Sequence, residues 1–151
     1  MSEPVVAYRR GRTSFSLGLA IISVVVLFAL GGRLPDRYDN LFVVALVVPG
    51  ASMAVGGFCA YMLTEWAERA NLGARLARVA ALTLIAPLIG FLLAAIAMGL
   101  GKPGLVLLAL LLGLKQFAVP ALLTTFTWSL LHVFVIRPWL SRQATGPVRA
   151  R

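Results

Sequence analysis

Four blocks of apolar residues divide this sequence, at about 13–32, 41–64, 79–100 and 105–136, and none of them contains an acidic residue. An α-helix needs roughly 20 apolar residues to cross the hydrocarbon core of a bilayer, so each block is long enough to be a span. The charge lies in the short stretches between blocks and not along one face of each helix, as it would in a soluble bundle. With 60% hydrophobic and 13% charged residues, the chain carries more apolar surface than a soluble domain of 151 residues can hide. The expected fold is an all-α integral membrane protein, a four-helix transmembrane bundle with residues 1–151 in a single membrane domain. No stretch is long and polar enough for a separate aqueous domain, so chemistry in such a domain is not expected.

The distribution of Lys and Arg orients the bundle. Arg9, Arg10 and Arg12 precede the first block, Arg69, Arg75 and Arg78 lie between the second and third, and Arg137, Arg142, Arg149 and Arg151 follow the fourth. These ten residues mark one side, against Arg33, Arg37 and Lys102 on the other, and the positive-inside rule places both termini in the cytoplasm. The expected location is the plasma membrane, of the bacterial inner-membrane type. The same bias accounts for the formal charge of +9 through anionic lipid, so no nucleic-acid partner is expected. A cleaved signal peptide is the competing reading of the first block, which ends in the small-x-small run Ala29-Leu30-Gly31. Its apolar run exceeds the 7–15 residues usual for such a peptide, which favours an uncleaved anchor. The helix of the second block is expected to continue through Glu65 and Arg69 until Asn71 or Gly73 stops it. Trp66 and Trp139 are placed as interfacial anchors. Cys59 has no partner cysteine in the chain and reads as a small apolar side chain.

Helices already in lipid gain most by close approach through small residues. Ser52, Gly56 and Ala60 recur every fourth residue in the second block and Ala86, Gly90 and Ala94 in the third, which predicts a tight contact between these two helices. Pro49, Pro87 and Pro120 predict bends within their spans.

The fourth block is overlong. As one helix its 32 residues would extend roughly 48 Å against a hydrocarbon core of about 30 Å. It also contains Lys115, and a lysine at the centre of a span costs about 2.5–3.5 kcal/mol on the insertion scale. The favoured resolution is an interfacial or re-entrant helix over 104–114, with 117–136 as the true fourth span. The alternative is a tilted continuous helix with Lys115 in a polar cavity. On a helical wheel Thr125, Ser129 and His132 share one arc, with Lys115 beside it, a polar stripe that suits a polar ligand path or a partner helix.

The stripe has no companions for catalysis. No acid lies within a span, one His and one Cys cannot build a metal site, and no nucleophile-base pair or phosphate-cradling loop is present, so no catalytic, cofactor or metal-binding residues are assigned. The segment from Phe126 to Pro138, which ends in Arg137-Pro138, resembles the closing helix of the large membrane-bound acyltransferases that modify sugars and polysaccharides. The resemblance covers those thirteen residues, and the early helix that holds the family's catalytic histidine has no counterpart here. It implies an incomplete relative of those enzymes. The leading expectation is a non-catalytic accessory or assembly subunit of a membrane complex, or a small homo-oligomer. The alternative is a small carrier or flippase for an anionic amphipathic or lipid-linked substrate.

Overall fold

The structure, a computed structural model, describes residues 3–31, 39–65, 71–99 and 102–144, and the side chains of 8–30, 47–65, 71–99 and 102–143. Its elements are α1 (Glu3–Gly31), α2 (Asp39–Leu63), α3 (Leu72–Gly99), α4 (Pro103–Leu131), a π-helical turn (His132–Ile136) and α5 (Arg137–Ala144). There is no strand among the described residues. Three of the helices, α1, α3 and the α4–α5 rod, are long and apolar enough to cross a membrane; α2 is a helix of 25 residues, and its apolar stretch Val47–Leu63 lies among the residues whose side chains are described. Large apolar side chains are exposed along the helices while several polar ones are buried. Leu17, Ile21, Val25, Leu84, Leu88 and Leu92 are exposed, whereas Ser16, Ser52, Thr64, Arg78, Thr125, Ser129 and His132 are buried.

Consecutive helices pack in a row, α1 on α2, α2 on α3 and α3 on α4. Glycine sets the distances. Gly56 of α2 lies against the backbone of Ala86 and Gly90 on α3, and a Cβ at Gly56 would come within 2.9 Å of the Gly90 nitrogen. A Cβ at Gly90 would in turn sit 2.6 Å from the Met53 sulfur. Of the two small-residue stripes, Ser52, Gly56, Ala60, Ala86 and Gly90 are buried and Ala94 is half-buried. A step of four residues advances 400°, so a stripe drifts 40° per step and leaves the contact face, which Ala95 occupies in place of Ala94. α1 packs on α2 through Gly57, which faces Leu19 and Phe15, and Gly50, which faces Val24.

Two expectations require correction. α2 ends at Leu63, and Asn71 does not stop it but opens α3, where its Oδ1 accepts from the Ala74 N–H at 3.4 Å. Gly73 lies inside α3. Trp66 falls outside the described residues. Secondly, helix is continuous from Pro103 to Ala144, so no re-entrant reversal separates 104–114 from the residues that follow. Pro103 begins the helix at the position where a missing N–H costs nothing, and a run of leucines with high helix propensity carries it onward. Pro120 is accommodated within α4, as are Pro49 in α2 and Pro87 in α3.

The α3–α4 connection is tight. The Lys102 N–H donates to the Gly99 carbonyl at 2.9 Å, and Val106 presses so closely on Gly99 that a Cβ there would lie 3.0 Å from the Val106 nitrogen. At the other end of α4 the π-helical turn precedes Pro138, whose ring would clash with the carbonyl four residues back in a regular α-helix. The wider turn moves the Arg137 N–H onto the His132 carbonyl.

Candidate functional site

α1 and α4 meet over a much shorter length than the neighbouring pairs, at the end of the bundle where α1 begins and α5 also packs on it. There the indole of Trp128 lies directly on the backbone of Gly18, which has no side chain to hold it off, and Trp128 Nε1–H donates to the Phe15 carbonyl at 2.9 Å. That carbonyl belongs to a helical residue, so this is an additional bond to α1. One turn further on, His132 at the start of the π-helical turn is buried in an aromatic enclosure. Phe15 and Tyr61 present edges to its ring at centroid distances of 5.2 and 5.6 Å, and Trp128 lies at 6.1 Å.

The hydrogen bonds around His132 fix its donor side. Ser14 Oγ donates to the Gly11 carbonyl at 2.9 Å, which leaves the hydroxyl oxygen as an acceptor, and His132 Nε2 lies 3.0 Å from it. Counting protons, Nε2–H donates to Ser14 Oγ and the ring lone pair resides on Nδ1. Nδ1 has no hydrogen-bond partner among the described residues, and neither have Ser129 Oγ and Thr125 Oγ1. The arc of Thr125, Ser129 and His132 is thus turned inward, toward the other helices, with three polar atoms unsatisfied.

Arg78 completes this end of the bundle and is the residue the sequence reading missed. It had been placed with the basic residues of a cytoplasmic connection, yet it is buried, with its guanidinium 4.4 Å above the Tyr61 ring and Nε–H donating to Thr64 Oγ1 at 3.3 Å. Thr64 also donates to the Ala60 carbonyl at 2.9 Å. A sequence signal existed. Carried backward by fours, the stripe through Gly90 and Ala86 reaches Leu82 and then Arg78; carried forward, the stripe through Gly56 and Ala60 reaches Thr64. The two extensions meet in the Arg78–Thr64 hydrogen bond. Close by, Arg12 stacks 4.3 Å over Phe58 and donates to the Met62 sulfur at 3.0 Å.

Lys115 is not brought into this cluster. It is exposed, as is its neighbour Gln116, and neither makes a hydrogen bond or ion pair among the described residues. The reason is geometric. Fourteen residues separate Lys115 from Ser129, about 21 Å of helix. Among the described residues, α4 packs at that level on α3, through Val106 against Gly99 and Gly113 against Phe91. Nine residues at 100° each put Lys115 about 180° from Val106, facing directly away from α3.

Among the described residues no three of His, Cys, Asp or Glu converge on one point, and His132 is the chain's single imidazole. Compared with protein-family models, with curated proteins and with solved structures, the chain matches none.

Proposed function

We propose that this chain is a non-catalytic accessory or assembly subunit of a membrane complex, a polytopic protein of the plasma membrane with both termini in the cytoplasm. The observation that carries the reading is the exposed Lys115–Gln116 pair on an otherwise apolar helix face. In a bilayer a lysine so placed costs about 2.5–3.5 kcal/mol unless something outside the chain receives it. At the terminal end of the bundle Thr64, Arg78, Thr125, Ser129 and His132 are instead buried inward. A carrier would need the polar stripe and Lys115 to line a common path, and Lys115 is exposed about 21 Å along the helix from the buried Ser129, which favours the accessory reading over the carrier.

The reading is tested by isolating the tagged chain from its native membranes in mild detergent and weighing the intact assembly. The expected mass contains a second polypeptide in fixed stoichiometry. A chain that runs alone, with only detergent and lipid, overturns it.

A further inference from the structure

Lys115 belongs to a pattern that describes what should meet it. Leu105, Leu108, Leu112, Lys115, Val119 and Leu122 follow one another at spacings of three, four, three, four and three, and all six are exposed. This is the a/d seam of a coiled coil, the spacing at which one helix lies along another for several turns. A polar residue at a single seam position sets the register of such a pair. The position of Lys115 along the bundle is equally defined. With Gly99 against Val106 and Gly113 beside Phe91, antiparallel register puts Lys115 level with Ile89, next to the Gly90 that faces Met53. That level is midway along the apolar run of α3, far from either polar end.

From this we infer that the seam docks a transmembrane helix of a different polypeptide, which carries one Asp or Glu at mid-depth opposite Lys115. The inference rests on the accessory role proposed above and specifies its partner. Charge complementarity selects a carboxylate, because ionisable groups within a bilayer pair with one another, and an amide would leave the ammonium uncompensated. A second copy of this chain does not qualify. None of the four apolar blocks contains an acid, and Glu65 and Asp39, beyond the two ends of the second block, lie twelve and fourteen residues from Met53, about 18 and 21 Å from the level of Lys115. A parallel self-pair along the same seam would instead bring Lys115 against Lys115.

The test uses the full chain, labelled at its amino terminus and reconstituted in phosphatidylcholine vesicles, with synthetic Leu/Ala membrane helices bearing a single central Glu, Gln or Lys. Energy transfer should reach half-saturation at a probe density about tenfold lower for the Glu helix than for the other two. Lys115→Leu should abolish that preference, and Lys115→Glu should reverse it in favour of the Lys helix. The reversal is a gain that a misfolded variant cannot produce. Equal association of all three probes, a Glu preference that survives Lys115→Leu, or no reversal with Lys115→Glu would each overturn the inference. So would loss of the Glu preference on adding phosphatidylglycerol, which would identify the receiver as a lipid headgroup. A native assembly that contains a second polypeptide, combined with no Glu preference, removes this inference and leaves the accessory role standing; a chain isolated alone removes that role by itself.

Discussion

Single contacts at the terminal end of the bundle have separable costs. Trp128→Phe keeps the ring on Gly18 and removes one hydrogen bond to the Phe15 carbonyl, so it should lower stability by about 1 kcal/mol. Trp128→Ala also removes the packed surface and should cost about 3–5 kcal/mol. Thermal unfolding in detergent measures both, and equal losses would mean that the indole contributes only its hydrogen bond. Ser14→Ala removes the hydroxyl beside His132 Nε2 and leaves the Gly11 carbonyl as the acceptor there, so it should cost about 1 kcal/mol. At this scale the sequence displayed the polar residues and concealed their surroundings. Thr125, Ser129 and His132 were visible as an arc, but a wheel drawn for one helix cannot say whether the arc faces lipid or neighbours. Burial against Ser14, Phe15 and Tyr61 depends on residues more than seventy positions away, which only the packed bundle brings together.

Between elements, the α2–α3 contact depends on two glycines whose absent side chains let the backbones meet. Gly56→Leu forces a side chain into the α3 backbone and Gly90→Leu into Met53, and each should destabilise by at least about 2 kcal/mol. Ala94→Leu, at the half-buried end of the drifting stripe, should cost well under half as much. If all three variants melted alike in detergent, the stripe would not be the contact. Fourfold spacing made this helix pair legible because small residues are informative only where backbones approach closely. The fourth helix was harder to read. Its length and its lysine argue for a break, whereas Pro103 at the first turn and a leucine-rich stretch over 105–114 favour continuous helix, and local propensity prevails. The consequence for Lys115 is the reverse of what a re-entrant segment would offer, since the helix runs on through it without reversing.

For the molecule as a whole, the proposed orientation predicts a labelling pattern. In a Cys59→Ser background, Arg10→Cys, Gly73→Cys and Gln143→Cys should be protected from an impermeant maleimide added outside, and Asn40→Cys should react. Labelling of position 143 from outside would invert the topology or break the four-span count. The helical organisation was accessible from the sequence because block length alone marks helices long enough to cross a bilayer; the closing contact between α1 and α4 was not, because it rests on an indole seated on Gly18 and on His132 against Ser14 and Phe15. The short turn between α3 and α4 bears on how the chain enters a bilayer. With Val106 against Gly99, the two helices form a hairpin that can insert as a unit, so the penalty of a lone lysine is set against the transfer energy of two leucine-rich helices at once. Lengthening that turn with a flexible linker would make α4 partition by itself, and its insertion efficiency should then become sensitive to Lys115→Leu, a sensitivity that the native hairpin suppresses.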